Sequence, residues 1–139
     1  MTEIASTRLR SALTAVLASM PQVAAVYAYG SRVSGRSVSL SDLDLALVLA
    51  DDVAGEDPLF AERIAARIAA ELRTTVEVDA HVAETLPLPV RGRVVTQGVL
   101  VFERDPVRRL RFETDTRRLY FDFLPLLERD ARTALSAGG

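Results

Sequence analysis

The chain reads as an α/β protein in which short apolar strands alternate with amphipathic helices. Three observations carry that reading. Two runs, VAAVYAY at Val23–Tyr29 and LDLALVL at Leu43–Leu49, are apolar, β-prone and too short for helices. Between Phe60 and Leu72 the apolar residues Phe60, Ile64, Ile68 and Leu72 recur every four positions, the spacing of one helix face. A third β-prone run, TVEVDAHV at Thr75–Val82, follows closely.

At 139 residues the chain has the length of one domain, with a core expected over about residues 1–104 and a C-terminal helical segment over about 105–136. A composition of 49% hydrophobic and 26% charged residues fits a globular protein in water. No apolar run approaches the roughly 20 residues that cross a bilayer. The first ten residues include Glu3, Arg8 and Arg10 and no signal-peptide core, so a cytoplasmic protein without a membrane partner is expected. The absence of cysteine excludes disulfides, thiol catalysis and cysteine metal sites. All 17 basic residues are arginine, which excludes a Walker-type lysine, a Schiff base and a lysine general base. A net charge of −2 argues against direct nucleic-acid binding.

In chain order, the first helix is expected from about Glu3 to Ser19. Leu9, Leu13, Val16, Leu17 and Met20 form its stripe, and Pro21 stops it. The strand Val23–Tyr29 then leads to a Gly30-Ser31 turn. The spacer Arg32–Ser41, with Gly35 and four serines, reads as a loop, with or without a helical turn after Ser31. The strand Leu43–Leu49 follows, then the polar stretch DDVAGEDP. Asp57 is the expected cap and Pro58 the first position of a helix reaching about Arg73. In the third strand Val76, Val78, Ala80 and Val82 share one face, and Glu77, Asp79 and His81 the other. Pro87 and Pro89 open a short helix, Gly98 closes it, and Val99–Phe102 is a fourth strand. Asp105-Pro106 starts a last helix through much of Val107–Leu135, which Pro125 should kink or divide. Leu119, Tyr120, Phe121, Phe123, Leu124, Leu126 and Leu127 crowd that segment, with arginines 108, 109, 111, 117 and 118 beside them. They form either a partner surface or the packed face of a helix on its own domain.

The chemistry concentrates between Gly30 and Leu47. Asp42 and Asp44 stand two residues apart at the start of a strand and therefore share a face, with Cα atoms about 6.6 Å apart. Carboxylates so placed can converge on a pair of divalent ions about 3.5–4 Å apart. Acids at the start of an apolar strand are costly to desolvate without a cation. Gly30 permits a tight turn and close ligand approach, and Ser31 offers a hydroxyl and an N–H to phosphate. Arg32 and Arg36 are candidate cations for a triphosphate, with exposure on a loop as the plain alternative. Arg91 and Arg93 face either phosphate or solvent.

The motif Gly30-Ser31, ten residues, Asp42-Leu43-Asp44, in the setting GSRVSGRSVSLSDLDLAL, resembles the signature of the polymerase-β-like nucleotidyltransferases. It looks most like their small bacterial branch, the minimal nucleotidyltransferase (MNT) family that includes MntA-type antitoxins. The helix followed by GVLVFE at Gly98–Glu103 is similar as well. The resemblance implies a nucleotidyltransferase fold, a small mixed sheet with helices packed against it. It also implies transfer of a nucleoside monophosphate from a triphosphate, ATP for the antitoxin branch, to a hydroxyl. Gly30 and Ser31 would hold the β/γ phosphates, with Arg32 beside them and Ser41 shaping the turn. Asp42 and Asp44 would hold two Mg²⁺ ions, and a third acid would complete one ion's shell. Asp79 is chosen for that post because its setting resembles the family's Val-Asp-Leu motif, with Glu77 as the competitor and His81 as a neighbour. At this length no added helical domain of the kind with which larger relatives bind antibiotic acceptors is expected. The implied acceptor is therefore a protein, a tyrosine of a HEPN-family toxin ribonuclease bound through the C-terminal helical segment. A non-catalytic antitoxin that acts by docking, or an aminoglycoside-type enzyme, are the alternatives.

Overall fold

The computed structural model describes residues 3–30, 37–39, 43–51, 58–73 and 77–138. The elements run β1 (Glu3–Ala5), α1 (Ser6–Leu17), β2 (Val23–Tyr29), β3 (Ser37–Ser39), β4 (Leu43–Leu49), α2 (Phe60–Leu72) and β5 (Val78–Val82). A 3-10 turn (Ala83–Thr85), α3 (Leu88–Gln97), β6 (Val99–Glu103) and α4 (Pro106–Gly138) complete the described chain. The principal sheet has the order β5-β4-β2-β6. β2 is antiparallel to β4 and to β6, whereas β4 runs parallel to β5 through the crossover helix α2. β1 and β3 form a separate antiparallel pair.

β2 and β4 are the inner strands, covered on both faces, which is why they read as continuous apolar runs rather than alternating ones. On one face Val26, Leu43, Leu45 and Leu47 meet Leu9, Leu13 and Leu17 of α1 and Ile64 and Ile68 of α2. On the other, Ala25, Tyr27, Ala46 and Val48 meet Val94 and Val95 of α3 and Phe112 of α4. Leu45, Leu47, Ile64 and Ile68 are fully buried. Each such side chain contributes about 1.5–3 kcal/mol by leaving water.

Two arginines bind the layers together. Arg104 turns its guanidinium onto the carbonyls of Leu17, Met20 (2.6 Å) and Val23 (2.9 Å), and its charge also lies over the Phe102 ring. The Leu17 carbonyl is the last of α1, and this cation joins the Met20 N–H that also donates to it. Arg108 is buried; its Nε donates to the Leu49 carbonyl (2.9 Å) and its head pairs with Glu84 and Asp51. Arg109 pairs with Glu103 and Glu113, and Arg111 with Asp51. These three arginines therefore tie α4 to the body through carboxylates of the same chain, Arg111 remaining half exposed. Tyr120 also turns inward: a Cβ on Gly92 would lie 2.1 Å from its ring, so α3 and α4 approach closely there.

Several element boundaries differ from expectation. The first three residues of the anticipated first helix are β1, because Ile4 pairs across from Val38 and a backbone partner outweighs local propensity. The same pairing makes a strand of Ser37–Ser39 inside the anticipated loop. α2 begins at Phe60 with Pro58 in a turn, and Asp57, the anticipated cap, lies outside the described residues. Arg73 closes α2 in the left-handed region (φ 52°), its N–H donating to the carbonyls of Ala69 and Ala70. Strand β5 starts at Val78, Thr75 and Val76 being outside the described residues. Strand β6 runs one residue further than anticipated, to Glu103. Gly98 does not adopt the left-handed cap conformation (φ −71°). Glycine is needed there for another reason: a Cβ would stand 2.3 Å from the Val94 carbonyl oxygen. α4 begins as read, Asp105 Oδ1 accepting the Arg108 N–H at 3.1 Å. It continues past Pro125 without division. Phe121, whose carbonyl loses its helical donor to Pro125, lies on an exposed stretch where water can substitute. Among the described residues no helix is long and apolar enough to cross a membrane.

Candidate active site

β2 ends at Tyr29 and the chain turns at Gly30, whose φ of +118° is a conformation that side chains with a Cβ rarely adopt. A Cβ at Gly30 would lie 3.5 Å from Asp44 Oδ2, ordinary contact, so the backbone angle and not crowding requires glycine. The turn therefore sits directly against an acid of the next strand.

Register gathers the rest. Tyr29 stands opposite Asp44 in the antiparallel β2–β4 ladder, and Asp44 stands opposite Asp79 in the parallel β4–β5 ladder. Tyr29, Asp44 and Asp79 thus form one row across three strands, successive members about 4.8 Å apart by strand spacing. Tyr29 packs beside the α3/α4 face. Asp44 shares that side with Ala46 and Val48 by strand alternation. Tyr29 is partly buried, Asp44 partly exposed and Asp79 exposed. Burial, then the negative charges of Asp44 and Asp79, pushes the Tyr29 phenol up to about 12. Tyr29 was not singled out in the sequence; its position next to Gly30, facing the second strand, was the available signal.

The remaining sequence candidates fall as follows. Asp42, Ser31, Arg32, Arg36 and Ser41 lie outside the described residues. Glu77 is exposed and precedes β5, its carbonyl accepting the Leu43 N–H. His81 is exposed, opposite Ala46, and leaves β5 on the same side as Asp79. Arg91 is partly buried, its Nε without a hydrogen-bond partner, and Arg93 is exposed.

Like charges directly opposite on neighbouring strands destabilise a sheet. Carboxylate oxygens are the donors a hard divalent cation such as Mg²⁺ takes. The chemistry of Asp44 and Asp79 therefore fits a metal ion. Among the described residues no group of three or more carboxylates or imidazoles gathers around one point.

This four-stranded mixed sheet flanked by helices is a nucleotidyltransferase architecture. The chain belongs to the polymerase beta nucleotidyltransferase family, whose model matches residues 11–107. No curated protein matches it. Among solved structures, a chain of the crystal structure of the toxin–antitoxin MntA–HepT is similar with a TM-score of 0.69 at 19% identity, over 93% of this chain and 98% of that one. A toxin–antitoxin structure with AMP-PNP is similar at 0.68 and 20% identity, over 91% and 98%. A tri-AMPylated HEPN toxin in complex with MNT antitoxin, from Shewanella oneidensis, gives 0.69 at 20% identity, over 94% and 98%.

Proposed function

We propose that this chain is an antitoxin that transfers AMP from ATP to a tyrosine hydroxyl of a cognate HEPN toxin ribonuclease and thereby silences it. The observation that carries the reading is the placing of Asp44 and Asp79 opposite one another, beside a left-handed glycine, in a chain of the nucleotidyltransferase family. The similar toxin–antitoxin structures, one holding AMP-PNP and one an AMPylated toxin, support the choice of donor and acceptor.

In this reading Gly30 lets the triphosphate approach the turn, Ser31 and Arg32 hold its β/γ phosphates, and Ser41 shapes the approach to the acids. Asp42, Asp44 and Asp79 would hold Mg²⁺, which would supply neutralisation of triphosphate charge and Lewis-acid polarisation of the phosphate. Asp79 orients the tyrosine hydroxyl and takes its proton as the oxygen attacks the α-phosphorus. The new O–P bond forms as the bond to the β-phosphate oxygen breaks, and pyrophosphate leaves. Most of the acceleration is positional and electrostatic.

The test is transfer of α-labelled ATP to a HEPN toxin encoded beside this chain, in Mg²⁺. Label should appear on the toxin, and Asp44→Asn should slow it on the order of a hundredfold or more. A toxin that binds yet never acquires label refutes the catalytic reading. A docking antitoxin is the second reading, favoured by the exposed Leu119, Phe121 and Leu126 of α4, each about half exposed. If Asp42→Asn with Asp44→Asn protects cells as well as the wild-type chain, docking is sufficient.

A further inference from the structure

β5 is an edge strand, and among the described residues nothing pairs with its outer side. The direction of its free groups follows from the ladder. Leu43 stands opposite Val78, and the Leu43 N–H donates to the Glu77 carbonyl. In a parallel pair a residue bonds the two neighbours of its partner, so Glu77, Asp79 and His81 turn their backbone groups toward β4. The N–H and C=O groups of Val78 and Ala80 therefore point outward. Natural edges are usually blunted by proline, lysine or a bulge. β5 contains neither residue, and its register with β4 is unbroken.

A groove of about 380 Å³ runs along this edge. Its helical wall is Ala65, Ala66 and Ala69 of α2, whose short side chains leave room for a main chain, with Glu62 above them. Its strand wall includes Glu77, Asp79 and His81. The groove thus opens onto an acid of the candidate active site, and its charged groups are three carboxylates. A second copy of this chain would bring the same acids and be repelled.

We propose, resting on the transfer reading above, that the acceptor segment of the partner protein docks here as an added β-strand. It is an extended stretch that carries a tyrosine and an arginine or lysine. Its main chain bonds the outward groups of Val78 and Ala80, its cationic side chain lies toward Glu62 and Glu77, and its hydroxyl is delivered to Asp79.

The test pairs amide exchange with kinetics, using the full chain and the HEPN toxin encoded beside it. The Val78 and Ala80 amides should become protected about tenfold or more when the toxin is added, a change that does not require catalysis. Ala66→Trp fills the groove, and Val78→Pro removes one outward N–H without touching the β4 ladder. Both should raise KM for the toxin about tenfold and leave nucleotide affinity within about twofold. Glu62→Arg should weaken toxin binding, most at low salt. Ala66→Trp sits at an exposed helix position and serves should Val78→Pro fail to fold. Unprotected edge amides in a complex that has formed, an unchanged KM in Ala66→Trp, or no toxin binding at all overturns the proposal. Protection that grows with the concentration of this chain alone assigns the edge to self-pairing and overturns it too. Edge protection without label transfer refutes the catalytic reading and leaves the docking standing; transfer with an unprotected edge does the reverse.

Discussion

At the scale of single residues, the row Tyr29–Asp44–Asp79 sets a dependence on pH. The unfolded chain ionises its phenols near 10, whereas native Tyr29 does so only near 12. Tyr29 therefore has no influence on stability below pH 10 and erodes it as pH rises from 10 to 12, because only the unfolded chain sheds the proton there. Tyr27 acts in the same direction, since burial, then Glu113 beside its hydroxyl, raises its pKa as well. Urea denaturation at pH 8 and at pH 11 should give a smaller loss for Tyr29→Phe than for the wild-type chain; equal losses would contradict the row. Strand alternation alone tells which face Asp44 takes. It does not tell that Asp79 lies opposite, because register between strands separated by a helix is set by tertiary packing. The acid two residues ahead of Asp44 and the serine after Gly30 were legible as motif letters, yet their geometry lies outside the described residues.

Among the elements, β2 and β4 were legible to the residue, because strands buried on both faces are written as apolar runs, interrupted in β4 by Asp44 alone. β1 and β3 were not, since three residues carry no periodicity and owe their conformation to each other. α4 lies between these cases. Its start was written in Asp105 and Pro106, but which of its arginines turn inward depends on carboxylates at 51, 84, 103 and 113. Beyond Tyr120 the helix keeps apolar side chains in water, Phe121 at 54% and Leu126 at 49% exposure. Phe121→Ser with Leu126→Ser should leave thermal stability nearly unchanged, because these side chains bury little. It should weaken toxin binding in a calorimetric titration about tenfold or more if that stretch is the docking surface. A fall in melting temperature with intact binding would place both side chains in the fold's own packing.

For the whole molecule, two carboxylates standing opposite one another on neighbouring strands leave stability open to improvement by ligand. Mg²⁺ with a non-hydrolysable ATP analogue should raise the melting temperature. Saturation at 100 times Kd corresponds to about 2.7 kcal/mol. No rise at saturating concentrations would argue against a working site. The family match across residues 11–107 spans the strands that were readable and the short β3, and begins after β1.

Arg104 closes carbonyls that precede it by 81 to 87 positions. During synthesis the opening helix must leave the ribosome with only the Met20 N–H on its last carbonyl, long before the cation that joins it there has been made. Its completion is thus a late event in the birth of the protein, timed by a side chain that arrives after all six described strands.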